Sequence, residues 1–126
     1  MSEPSATDLE QAQALYDLNL FLQAHRRLAL QGAPERWNDP RALVLAARLW
    51  GNLGGSRTAE VLTVRAWRRG RQTDARFEVA YFYSRHLLTR QGPLAAWELL
   101  ERLPAPDGAS VRTRANLWVA RAELYC

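Results

Sequence analysis

Apolar residues along this chain recur at the three- and four-residue spacing of α-helices, and glycine and proline interrupt the pattern at short intervals. The strict alternation of apolar and polar residues that would predict strands is not sustained anywhere. The pattern predicts six or seven α-helices. Because the predicted loops are short, neighbouring helices should run antiparallel, and we expect an all-α fold.

Capping residues set the predicted helix boundaries. Thr7 and Glu10 fit a capping box, and the helical pattern then continues to Gly32, either as one helix or as two around Asn19. Asp39 followed by Pro40 is the clearest helix start, because Asp is a favoured N-cap and Pro suits the first helical position. Five helices are predicted after this start. The first covers 40–53, and the second is capped by Ser56 and closed by Gly70. A long helix over 74–91 is capped by Thr73, and it is followed by a helix over 93–103 and a last helix from Ser110 to Tyr125.

Small and large apolar residues also follow a 34-residue order, which is clearest in Leu43, Ala46, Ala47, Trp50, Gly54, Ala59 and Ala66. These residues resemble the tetratricopeptide repeat (TPR) family, although Thr63 stands where that family has a large aromatic residue. The resemblance extends over about residues 7–125 and implies a right-handed α–α superhelix, a TPR-like solenoid. Repeat spacing favours two helices around Asn19.

The last predicted helix resembles the first helix of a further repeat, with Trp118, Ala122 and Tyr125 at its bulky, small and aromatic positions. A first helix without its partner would leave apolar surface bare. We therefore expect residues 1–126 to be a single repeat domain with a flexible start at 1–6. It would be an N-terminal fragment of a longer repeat protein, or its last helix would pack on a second copy.

Charge is distributed unevenly. All 17 basic residues are Arg, which is typical of a GC-rich bacterial genome. Residues 1–39 carry a formal charge of −3, whereas residues 40–126 carry +7. A basic surface attracts acidic proteins, nucleic acid or anionic lipid. The densest basic stretch contains Arg57, Arg65, Arg68, Arg69, Arg71 and Arg76.

The sequence contains no recognisable catalytic constellation. His25 and His86 lack Cys, Asp or Glu at metal-ligand spacing, and no HExxH, CxxC or glycine-rich phosphate loop is present. We therefore expect no enzyme activity, no cofactor and no metal. The single Cys126 cannot form an internal disulfide, and no secretory signal or membrane span is visible, which together predict a cytoplasmic protein.

These observations predict a protein–protein interaction scaffold that binds a protein or peptide, an acidic one being favoured. In the TPR family the first helices of successive repeats line a concave groove. That frame assigns to the groove Arg41, Val44, Arg48 and Asn52. On the long helix they are followed by either Phe82, His86 and Thr89 or Glu78, Phe82 and Arg85. The alternative is a nucleic-acid-binding helical domain that uses the Arg-rich stretch 57–76, with a basic patch of Arg65, Arg68 and Arg69. The acidic first quarter of the chain argues against this alternative.

Overall fold

A computed structural model describes residues 3–103. Their regular elements are all helical: α1 (Ala6–Asp17), α2 (Phe21–Ala29), a 3-10 turn (Pro34–Arg36), α3 (Pro40–Asn52), α4 (Ser56–Gly70), α5 (Arg76–Gln91) and α6 (Pro93–Glu101). The predicted all-α class is confirmed for this range. The chain divides into two compact units, Met1–Arg69 and Gly70–Cys126, which are described separately below. The predicted helix over 110–125 lies outside the described residues.

Helix α1 begins at Ala6, and its N-cap, Ser5, lies two residues before the predicted cap, Thr7. The Ser5 hydroxyl accepts a hydrogen bond from the Asp8 backbone N–H, and the Asp8 carboxylate accepts one from the Ser5 N–H, both at 3.1 Å. The predicted capping box of Thr7 and Glu10 is therefore wrong. The Ser5 backbone N–H, the Ser5 hydroxyl and the nearby Arg27 guanidinium lower the pKa of Asp8 from its ordinary value.

Asn19 separates α1 from α2, as the repeat spacing predicted. Its φ of 62° lies in the left-handed region, which Asn tolerates better than most residues because its short polar side chain can hydrogen-bond locally. The Leu20 N–H donates back to the Leu15 carbonyl at 2.9 Å, so the chain reverses within three residues.

The start of α3 follows the prediction and receives additional support. Asp39 caps the helix by accepting a hydrogen bond from the Arg41 N–H at 3.1 Å, and Pro40 is its first residue. The Glu3 carboxylate accepts hydrogen bonds from the backbone N–H groups of Asn38 and Asp39. Residue 3, which we expected to be flexible, is therefore held against the start of α3, and Pro4 beside it is buried.

The core of the first unit is centred on α3. Helix α1 packs against α2 and α3, and α2 packs against α3. Six of the thirteen residues of α3 are buried and cover about 200° of its circumference at 100° per residue. Ala46 and Ala47 are 3% and 2% exposed, as their assignment to helix crossings requires. The buried apolar residues of α1 to α3 are Ala12, Ala24, Leu28, Ala42, Leu43, Leu45, Ala46, Ala47 and Leu49.

The turn between α3 and α4 depends on its glycines. Gly54 has a φ of 93°, which an L side chain rarely adopts, and it ends α3 as predicted. A Cβ at Gly55 would overlap the indole ring of Trp50, whereas a Cβ at Gly51 would lie 3.9 Å from the Ala59 Cβ, an ordinary contact. Ser56, the predicted cap, is instead the first residue of α4.

Thr63, where the TPR pattern has a large aromatic residue, is buried in α4. Its hydroxyl donates to the Ala59 carbonyl at 2.7 Å, which satisfies the polar group inside the fold. A small residue is therefore accommodated at this position, without the bulk that the resemblance implies.

The second unit contains α5 and α6, which pack against each other. Phe77 and Leu100 are buried between them, with Tyr81 and Leu103 packed alongside. Thr73 was predicted to cap a helix starting at residue 74, but its hydroxyl accepts from the Ala75 N–H and donates to the Gly70 carbonyl in a turn, and α5 begins at Arg76. Gly92, with φ of 95°, and Pro93 separate α5 from α6 as predicted.

Enlarging Ala47 should disrupt the first unit. Because the site is 2% exposed and closely packed, we expect Ala47→Trp to lower the free energy of unfolding by at least about 3 kcal/mol or to prevent folding. Chemical denaturation followed by circular dichroism measures this. Ala14→Trp, on the exposed side of α1, is the control and should change stability by less than about 0.5 kcal/mol. Equal effects at both sites would contradict the packing described.

Two glycines near the α3–α4 turn should respond in opposite directions to the same change. Gly51→Ala replaces a glycine in the last turn of α3 without a clash, and should stabilise the protein by up to about 0.5 kcal/mol. Gly55→Ala forces Trp50 to move and should destabilise it by about 1–3 kcal/mol. Parallel denaturation curves test the pair, and effects of the same sign would show that Trp50 does not cover Gly55.

Candidate functional site

An open cavity of about 790 Å³ lies along α4. Its lining residues come from one face of that helix and from the 3-10 turn: Glu35, Arg57, Glu60, Val61, Val64, Arg65, Arg68 and Arg69. All of them belong to the first unit. The wall carries four arginines and two glutamates, so charges of both signs are present and the net charge is positive. Two valines lie between the charged groups.

The amphipathic pattern of α4 explains why these side chains lie together. Leu62, Thr63 and Ala66 are buried on one side of the helix. At 3.6 residues per turn, residues 57, 61, 64 and 68 fall on the opposite side. The structure thus brings the predicted basic patch of Arg65, Arg68 and Arg69 to one cavity, together with Arg57.

Arg65 differs from the other arginines in this cavity because it is tied to the loop before α3. Its Nε donates to the Trp37 carbonyl at 2.7 Å, and its Nη2 donates to the Asn38 Oδ1 at 3.2 Å. Trp37 itself is 1% exposed, and its indole N–H lies 3.4 Å from the Gln31 carbonyl. Arg65 therefore holds this loop against α4, a structural role that the basic-patch prediction did not anticipate.

Arg57, Arg68 and Arg69 are exposed, and within residues 3–103 they form neither ion pairs nor hydrogen bonds through their side chains. Their guanidinium groups can meet an incoming carboxylate or phosphate in a two-pronged arrangement. Since exposed charges are well hydrated, each such contact is individually weak, and affinity would depend on several of them acting together with the valines.

A second cavity, of about 300 Å³, lies between α2, the 3-10 turn and α3. Trp37, Trp50, Leu28, Leu49 and Ala46 make its wall mainly apolar. The ring of His25 meets the Trp50 indole edge-on, with centroids 5.2 Å apart. This contact accounts for His25 as a packing residue.

The predicted groove residues of α3 lie on its outward side. Arg41 and Asn52 are exposed and Arg48 is half-buried. The Asn52 amide donates to the Tyr16 hydroxyl at 3.2 Å and to the Arg48 carbonyl at 2.9 Å, so α1 contributes Tyr16 to the same surface.

The predicted groove residues of the second unit are Phe82 and His86 of α5. Both are half-buried, and the His86 ring stacks on Tyr83 with centroids 5.5 Å apart. These two residues are placed on one helix of the second unit, and the composite groove that joins them to α3 stays a prediction.

Within residues 3–103, no group of three or more His, Cys, Asp or Glu side chains is placed to hold a metal ion. Over the same range, no helix combines the length and apolar character needed to cross a membrane. No protein-family model matches the chain, and no match was found among curated proteins or solved structures.

Three residues that hold the loop before α3 or the outward side of α3 are not singled out from the sequence. They are Glu3, Tyr16 and Trp37. Each makes contacts with residues 28 to 36 positions away in the sequence. A local pattern carries no signal for such contacts.

Removing the Arg65 side chain should destabilise the fold, whereas removing Arg68 should not. Arg65→Ala deletes two charge-assisted hydrogen bonds and leaves the Trp37 carbonyl without this donor, so we expect a loss of about 1–3 kcal/mol. Arg68→Ala should stay within about 0.5 kcal/mol. Urea denaturation monitored by tryptophan fluorescence compares them. Equal stabilities would show that the Arg65 contacts contribute nothing.

Proposed function

We propose that this chain is a non-catalytic protein-interaction scaffold, built from stacked helical hairpins in a TPR-like superhelix, and that it binds a peptide or partner protein. The mutual packing of α1, α2 and α3 carries the proposal. In a TPR-like stack the two helices of one repeat contact each other and the first helix of the next repeat. The arrangement of these three helices supports that assignment.

The binding surface in this proposal is the outward side of α1 and α3. Arg41, Arg48 and Asn52 lie there, and Tyr16 joins them through its hydrogen bond with Asn52. The Asn52 amide is already oriented by two acceptors, so its Oδ1 is positioned to accept a hydrogen bond from a peptide N–H. Arginine beside it favours a partner with carboxylates.

Such a surface needs a rigid support to bind selectively, because ordering a flexible surface reduces affinity. Helix α3 supplies that support, since six of its residues are buried and its first turn is held by Asp39 and Glu3. The polar side chains therefore project from a backbone that has little freedom to move.

A selection from a random peptide display library on the immobilised full-length chain tests this function. We expect enrichment of peptides with acidic residues. Arg48→Glu should weaken the enriched peptides by about tenfold or more, because the reversed charge repels their carboxylates. Fluorescence anisotropy with labelled peptide measures the affinity.

Arg26→Glu is the matched control, because Arg26 is an exposed residue of α2 and lies outside the proposed surface. It should leave peptide affinity within about twofold. Circular dichroism of both variants confirms that the fold is retained. Failure to enrich any peptide, or equal losses in the two variants, would contradict the proposed surface.

A further inference from the structure

We infer that the cavity along α4 is a second docking surface, and that its partner is an acidic amphipathic segment of another protein. Carboxylates of that segment would meet Arg57, Arg68 and Arg69, and its apolar side chains would cover Val61 and Val64. The inference rests on the proposed scaffold function and adds a surface and a partner chemistry to it.

The apolar part of this surface is a strip between the arginines. Val61 is 52% exposed although it is a large apolar residue, and Val64, one turn further along, is half-buried in the same cavity. Both side chains are β-branched and stiff, so covering them costs little conformational entropy. An occupant with apolar side chains gains free energy here that a purely charged ligand does not.

The charged part of the surface sets the length of the occupant. Arg57 and Arg68 are eleven residues apart on one helix, which corresponds to about 16 Å along its axis. A partner helix with acidic residues about three turns apart spans this distance. Arg69 widens the positive end of the cavity, whereas Arg65 is already engaged by Trp37 and Asn38.

The two glutamates of the wall favour a polypeptide over nucleic acid. Glu35 and Glu60 face the same cavity as the arginines. Double-stranded DNA carries one negative charge per about 1.7 Å of its axis with both strands counted, so a duplex lying along α4 would bring phosphates close to both carboxylates. A peptide can place neutral or basic side chains at those two points and keep its acidic ones for the arginines.

The test uses fluorescein-labelled probes with the full chain. The main probe is a helix-forming peptide of about fifteen residues with Leu and Glu on one face. One control peptide has the same composition in scrambled order, and another has Gln in place of Glu. The fourth probe is a DNA duplex of similar length. Anisotropy is measured at about 50 and 200 mM salt. We expect the amphipathic acidic peptide to bind about tenfold or more tightly than the scrambled and Gln peptides.

Variants on α4 locate the binding. Arg68→Glu and Val61→Ser should each weaken the acidic peptide by about fivefold or more, while the control Arg26→Glu should change it by less than twofold. Circular dichroism checks the fold, and backbone amide shifts in an NMR titration should concentrate between residues 57 and 69. Together these results would support the inference.

The results that would contradict the inference can be told apart from one another. Tighter binding of DNA than of the acidic peptide, with a steep loss at the higher salt, would overturn the peptide assignment in favour of nucleic acid. Binding that is weakened by Arg48→Glu but not by the α4 variants would overturn the second surface and leave the scaffold function standing. Equal binding of the acidic and scrambled peptides, or none, would also overturn it.

Discussion

The first unit depends on the burial of α3, against which both α1 and α2 pack. Ala46 and Ala47 are almost fully buried, as are Leu43 and Leu49 on the same helix. Small residues on a buried helix face let neighbouring helix backbones approach. Because more than half of the circumference of α3 is used in this way, polar recognition residues are confined to a narrow outward strip. Packing thus decides where function can lie on this helix.

A second constraint concerns residues 37–39, where the chain enters α3. Loop backbone groups need hydrogen-bond partners, and here charged side chains supply them. Glu3 accepts from the N–H groups of Asn38 and Asp39, and Arg65 donates to the Trp37 carbonyl. Residues from the start of the chain and from α4 therefore meet at one loop. Some of the charge in this sequence serves folding, so a row of arginines on one helix is not uniform in role.

Several helix boundaries could be predicted from a few neighbouring residues, whereas the caps at Thr7, Ser56 and Thr73 and the contacts between distant residues could not. Asp39 with Pro40, and Gly92 with Pro93, set their helix boundaries through local backbone geometry. Ser5 and Asp8 have the same three-residue spacing as Thr7 and Glu10, so the local pattern alone does not choose between the two caps. Glu3 and Pro4, next to Ser5, are held by the loop before α3 and by burial, which favours the earlier cap. The hydrogen bond from Arg65 to the Trp37 carbonyl likewise joins residues 28 positions apart. The composite groove of α3 and α5 stays a prediction, because helical periodicity does not encode how two units are arranged.

In the first unit, acidic residues bind backbone N–H groups at helix starts, whereas several arginines are exposed. The Asp8 and Asp39 carboxylates each accept a hydrogen bond from a backbone N–H at a helix start, that of Ser5 and that of Arg41. Glu3 accepts two beside the start of α3, where the helix dipole also offsets negative charge. Arg57, Arg68 and Arg69 have no such partners among the described residues and point their charge outward. The acidic groups are thus engaged by the backbone that they stabilise, whereas these arginines are exposed. Exposed positive charge of this kind attracts negatively charged molecules, which is the physical basis of the docking surface inferred along α4.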